Sequence, residues 1–116
     1  MVMDHRDDLI DAYFNALDTN SFDDLRSVVE EDVIFRPPDG SYIEGASEMI
    51  QHFEENRDLD ESDHTISTRV DGDDTTICEG SVTGRIGDQE VEAEYCDVFE
   101  FGDDKISRIS VFVRDS

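Results

Sequence analysis

A chain of 116 residues with 32 acidic side chains against nine basic ones, and a formal net charge of -23, has room for one domain, residues 1–116, and one modest core. That charge argues against direct binding to DNA or RNA phosphates, and no apolar run is long enough to span a bilayer membrane. Asp4, Asp7 and Asp8 follow the start at once, so no secretory leader is read and a cytoplasmic protein is expected.

Leu9, Ile10, Tyr13, Phe14 and Leu17 recur at helical spacing between acids, which predicts an amphipathic first helix from about Asp4 with Tyr13 on its buried stripe. Thr19, Asn20 and Ser21 make the connection. Ser21 with Asp24 three residues on is a capping pattern, so a short second helix over Phe22-Asp23-Asp24-Leu25 runs to about Val29. Val33-Ile34-Phe35 reads as a brief strand stopped by Pro37-Pro38, and Asp39-Gly40 as the turn into a second brief strand at Tyr42-Ile43. Gly45 introduces a third helix that buries Met49, Ile50 and Phe53 and ends near Arg57. His52 lies beside that stripe and is expected to face solvent, as is His5.

The acidic stretch from Asp58 to Asp63 reads as a loop. Four strands follow, Thr65–Val70, Thr75–Arg85, Gln89–Phe101 and Ile106–Val113, joined by glycine- and acid-containing turns suited to hairpins. Short turns make this an antiparallel meander. The order ααββαββββ, helices ahead of a long sheet, is an α+β arrangement with the helices covering one sheet face.

Acids such as Asp7, Asp8, Asp11, Glu54, Glu55, Asp73 and Asp74 fall between apolar positions, so the charge describes a solvated shell on a folded core rather than disorder. Lys105 is the single lysine, the other basic residues being arginines. Such a surface resembles that of proteins from organisms holding molar salt in the cytoplasm, where repulsion is screened over about 3 Å at 1 M. Cys78 and Cys96 lie far apart without metal-type spacing and read as structural thiols. With no phosphate loop, nucleophile elbow, metal cluster or nucleotide fingerprint, neither a metal nor another cofactor is called for.

Asp97 breaks the pattern of its strand. Alternate residues Val91, Ala93, Tyr95, Asp97, Phe99 and Phe101 make a face that is apolar except at that acid, while Glu90, Glu92, Glu94, Cys96, Val98 and Glu100 make the other. An inward carboxylate has to be paired, protonated or beside a cavity, because burying it charged and alone is costly. His64, read on one face with Ile66, Thr68 and Val70, is a candidate base near neutral pH, against a plainer role as a residue bonded to the acidic loop. Arg36 and Tyr42 flank the Pro37-Pro38 turn and are candidates for holding an anionic or aromatic ligand at a rim. Phe35, Phe53, Ile109, Val111 and Val113 would make an apolar lining suited to a hydrophobic small molecule, or an ordinary core. On the opposite sheet face Cys96, Val98 and Phe112 form a mixed patch suited to a second subunit.

The phrases Tyr13-Phe14-Asn15-Ala16-Leu17, Phe22-Asp23-Asp24-Leu25, Glu31-Asp32-Val33-Ile34-Phe35, Ile43-Glu44-Gly45 leading to Met49-Ile50, and the run from Asp97 to Ile106 resemble, in that order, the NTF2-like superfamily. Within it the likeness is to SnoaL-like and ketosteroid isomerase-like proteins, and it covers nearly the whole chain. The resemblance implies a cone-shaped α+β domain, three helices on a curved and mostly antiparallel sheet enclosing a pocket, paired as a homodimer through the sheets. It also implies a choice of activities: isomerase, polyketide cyclase, dehydratase, or none.

Steroid-type isomerases of this group hold the substrate carbonyl with a tyrosine on the first helix and a protonated aspartic acid on a late strand, an oxyanion hole. By that likeness Tyr13 and Asp97 stand in those places. The proton-transferring aspartate has no counterpart, Pro37 falling at its position and Asp39 two residues on. Two readings follow: a small-molecule-binding protein with Asp97, Tyr13 and His64 as catalytic candidates, and a non-catalytic dimeric module that engages another protein.

Overall fold

The computed structural model describes residues 5–56 and 60–115. Helix α1 (His5–Thr19) and helix α2 (Phe22–Val28) lead into strand β1 (Val29–Arg36), a two-residue strand β2 (Ile43–Glu44) and helix α3 (Ala46–Asn56). Four long strands follow: β3 (Asp60–Asp71), β4 (Thr75–Ile86), β5 (Gln89–Phe101) and β6 (Ile106–Asp115). Among the described residues the strands form one sheet in the order β2-β1-β6-β5-β4-β3, antiparallel throughout except where β1 runs parallel to β6. Three helices on a curved mixed sheet is the α+β cone expected from the element order, and no described helix is long and apolar enough to cross a membrane.

The helices cover one face of the sheet. Ile10 and Tyr13 of α1, Leu25 of α2 and Met49 of α3 meet Val33, Phe99, Ile106 and Ile109 of the sheet, each of them buried. Tyr13 packs edge-on against Phe14 and Phe99, with centroids 5.1 and 5.3 Å away. Apolar burial of this kind, at roughly 1.5–3 kcal/mol for each large side chain, holds the helices to the sheet. Charge finishes the seam at its edge, where the Arg69 guanidinium of β3 spans Asp7 at 2.6 Å and Asp11 at 3.1 Å on α1.

Two strands begin earlier than their apolar residues suggest. β1 starts at Val29, directly after α2, and carries Glu30, Glu31 and Asp32 through an irregularity opposite β6. Glu31 and Asp32 are exposed and Glu30 is half-buried beside Gly102, and this run of acids hides the strand's start from a reading based on apolar alternation. β3 likewise begins at Asp60, paired with Arg85 of β4, inside the stretch read as a loop. Arg57, Asp58 and Leu59 of that stretch, and Asp4 at the expected start of α1, lie outside the described residues.

A bulge in β3 corrects a further expectation. Ile66 pairs with Gly80 but Thr68 with Glu79, so Ser67 is an extra residue and the side chains beyond it change faces. His64 and Ile66 therefore face the helices while Val70 is turned out, 55% exposed, and Arg69 is the residue turned in toward α1. The outer face also presents Ile77 and Phe112, the latter 60% exposed, in register with Val98 and Cys96 of β5.

Candidate functional site

A cavity of about 160 Å³ lies between the helices and the inner sheet face. Tyr13 and Leu17 of α1, His52 and Phe53 of α3, and Pro37 and Pro38 after β1 form one side. Phe35, His64, Val82, Tyr95, Asp97, Val111 and Val113 of the sheet form the other. A larger hollow of about 530 Å³ at the β4–β5 end is flanked by the exposed Thr83, Glu90 and Glu92 and contains no buried polar side chain.

Asp97 is the buried polar group of this cavity. It sits mid-strand on β5 between Cys78 of β4 and Val111 of β6, is 3% exposed, and its Oδ1 has no hydrogen-bond partner. Loss of hydration is the cause that pushes its carboxyl up to about 8, so at neutral pH the protonated, hydrogen-bond-donating form is favoured. Cys78 beside it is pushed up to about 11, first by burial, and stays a thiol.

His64 is held from behind by Asp18, the second carboxylate of the region. Asp18 Oδ1 accepts from the Ser62 hydroxyl at 2.8 Å and from His64 Nδ1 at 2.6 Å, while Oδ2 accepts from the His64 main-chain N–H at 3.1 Å. A histidine that donates through Nδ1 to a carboxylate keeps the basic lone pair on Nε2, the tautomer required of a general base. The ring packs against Phe14 at 5.0 Å and Tyr95 at 5.4 Å, which restricts its rotation further.

Tyr95 completes the sheet wall. Its hydroxyl donates to the Thr65 carbonyl at 3.1 Å, and burial, with Asp97 nearby, raises its pKa well above the ordinary tyrosine value. The approach depends on Gly80, where a Cβ would stand 1.8 Å from the Thr65 oxygen and 2.9 Å from the Tyr95 hydroxyl. Only a residue without a side chain fits there.

Of the residues singled out from sequence, the cavity brings together Tyr13, His64, Asp97, Phe35, Phe53, Val111 and Val113. Ile109 is fully buried in the core and Arg36 and Tyr42 are not on the wall. Arg36 is captured by the loop it begins, donating to the carbonyls of Ser41 and Gly40 at 3.0 and 3.2 Å, with its guanidinium 5.8 Å from the ring centre of Tyr42. Tyr42 itself is 58% exposed. Asp39 accepts from the Ser41 main-chain N–H at 2.9 Å, and hydrogen bonds from Ser41 hold its exposed carboxyl below the usual value; it caps its own turn.

His52, expected in solvent, is half-buried on the cavity wall, 5.7 Å from the rings of both Phe35 and Phe53. Asp18 was missed altogether, although it stands four residues after Phe14 and so continues the buried stripe of α1; its signal was lost among the many other acids. No cluster of three or more His, Cys, Asp or Glu placed to hold a metal occurs among the described residues.

A family model described as SnoaL-like domain matches residues 10–109. Among solved structures the chain is similar to an LEH-like epoxide hydrolase of M. tuberculosis, with a TM-score of 0.79, 20% identity, and 91% of this chain and 80% of that one covered. It is similar also to a candidate SnoaL-like polyketide cyclase from Jannaschia sp. CCS1, with a TM-score of 0.82, 13% identity, and 94% and 85% coverage. A third likeness is to a candidate ketosteroid isomerase from Kribbella flavida DSM 17836, with a TM-score of 0.73, 19% identity, and 93% and 76% coverage. At these identities the likenesses carry the fold alone. No curated protein matches the chain.

Proposed function

Because the chain belongs to the SnoaL-like domain family, with the model matching residues 10–109, we propose that its cavity binds a hydrophobic small molecule bearing a carbonyl and moves a proton on it. The observation that carries this reading is the pairing, on one cavity wall, of a buried acid whose Oδ1 lacks a partner with a histidine oriented by a carboxylate. In the proposed step His64 Nε2 takes the proton from the carbon beside the carbonyl. The electrons of that C–H bond move toward the carbonyl oxygen, where the Asp97 carboxyl, assisted by the Tyr13 side of the cavity, donates a hydrogen bond to the developing enolate. Return of the proton from His64 to the same carbon completes an exchange, and its return to a conjugated carbon completes an isomerisation.

His64 stands in this reading where the missing aspartate leaves a gap. Pro37 occupies that aspartate's position by sequence and contributes only an apolar wall, while Asp39 is turned to Ser41. The outer-face residues Val70, Ile77 and Phe112 support a homodimer formed through the sheet, and the charge of -23 supports a cytoplasm of high salt.

The experiment is deuterium exchange at the carbon beside the carbonyl of small ketones in D₂O, followed by NMR. Wild type should exceed buffer, His64→Gln should lose about 10²-fold or more, and Asp97→Ala should lose about 10²–10³-fold. Exchange that is the same in wild type and both variants would refute the assignment.

A further inference from the structure

The cavity's size and charge narrow its ligand beyond what the family offers. Resting on the reading that this cavity is the working site, we infer that it selects a neutral, single-ring or comparably small carbonyl compound and rejects fused-ring compounds and anions.

The volume of about 160 Å³ is close to that of a cavity which accepts benzene, roughly 150 Å³, and below the roughly 300–1,000 Å³ of sites for larger ligands. Its boundaries are stiff. The Tyr13 ring is 1% exposed and wedged edge-on against Phe99, so the floor cannot retreat without opening the core. Pro37 and Pro38 form one rim with fixed backbone torsions, and Phe53 is braced by Phe35 at a centroid distance of 5.0 Å. Of these, Phe53 is only partly buried and is the boundary that can be cut back with least damage to the core.

Charge sets the second half of the selection. Among the described residues no lysine or arginine lines the cavity, and the carboxyl on its wall is Asp97, with Asp18 behind His64. A carboxylate or phosphate would be desolvated beside an acid, with no arginine or lysine on the described wall to receive it, inside a protein of formal charge -23. An ammonium ion would require Asp97 to ionise in a site where burial disfavours the charge, at a desolvation cost to both partners. A carbonyl oxygen has neither cost, since it accepts the proton of the neutral acid.

The test compares binding of 2-cyclohexen-1-one, the two-ring 1-decalone, benzoate and tetramethylammonium, by NMR of wild type and of Phe53→Ala, with Phe53→Leu as the milder cut. Wild type should favour cyclohexenone over decalone by about tenfold or more, and Phe53→Ala should shrink that ratio to about threefold or less. Benzoate and tetramethylammonium should each bind at least about tenfold more weakly than cyclohexenone. Decalone bound as tightly as cyclohexenone by wild type, a ratio unmoved in both Phe53 variants, or either ion bound as tightly as the ketone would overturn the inference while leaving the cavity as the site. Failure of every probe to bind, or binding that leaves the His64 and Tyr95 ring signals unmoved, would overturn the site and the inference together.

Discussion

Where α1 meets β3, Asp18 accepts three hydrogen bonds, from the Ser62 hydroxyl and from the main chain and ring of His64, whereas mid-strand on β5 the Oδ1 of Asp97 accepts none. Both carboxylates lie at one cavity, one behind the His64 ring and one on the wall itself. The first is 20% exposed at its side chain and spends its acceptor capacity on holding a histidine. The second is buried with its Oδ1 unpartnered, and in the proposed function it offers its own proton. In the proposed function, identical side chains thus divide into an orienting group and a donating group through hydration and partners alone.

Replacing the ionisable group on β5 should have the largest effect, and it should be favourable. The folded-state pKa of Asp97 is raised to about 8 against an unfolded value near 3.9, so between those limits the folded chain holds more protons than the unfolded one. Stability from this group is therefore fully present below about pH 4 and lost as pH rises toward 8, by about 1.4 kcal/mol per pH unit. Asp97→Asn removes that loss. Denaturant unfolding of both proteins should show Asp97→Asn gaining on wild type across this window, by several kcal/mol in all, then running parallel above it. A difference that stays flat with pH would mean Asp97 is charged in the fold.

Breaking the partnered region should cost activity. Asp18→Asn can no longer serve as a charged acceptor for both His64 N–H groups, and exchange of ketone protons should fall by about 10²-fold or more. The loss should appear in kcat with KM little changed, a split that a merely structural Asp18 would not produce. Gly80→Ala disturbs what lies between the two regions, since the new Cβ meets the Thr65 oxygen at 1.8 Å and displaces the Tyr95 hydroxyl. It should destabilise the fold by roughly 2–4 kcal/mol in a denaturant titration. Arg69→Ala, which releases Asp7 and Asp11 at the margin of α1, should cost about 1 kcal/mol or less and leave the cavity's chemistry intact.

Sequence pattern reached the two regions unequally. Asp97 stood out because it interrupts a face otherwise apolar from Val91 to Phe101, and alternation places every residue of that face inward. Tyr95 shares that face and was readable for the same reason. Asp18 had no such background. It is one of four aspartates on α1, and only its spacing from Phe14 separates it from Asp7, Asp8 and Asp11.

The early starts of β1 and β3 were hidden in the same way, since a strand start rich in acids reads as loop. The Ser67 bulge was invisible because it changes pairing register without changing composition, and it moved Val70 outward and Arg69 inward. Arg36 and Tyr42 show the converse limit. Local hydrogen bonds to Gly40 and Ser41 settle where the Arg36 side chain goes, and strand periodicity is silent about them.

The protonation of Asp97 is the point on which the division between the two regions depends. A carbon-13 NMR titration of its side-chain carboxyl, assigned by loss of the signal in Asp97→Asn, measures it directly. A midpoint near 8 is the predicted result. A midpoint near 4, where an ordinary aspartate titrates, would contradict the account, since Asp97 would then be an anion at neutral pH with no proton to donate.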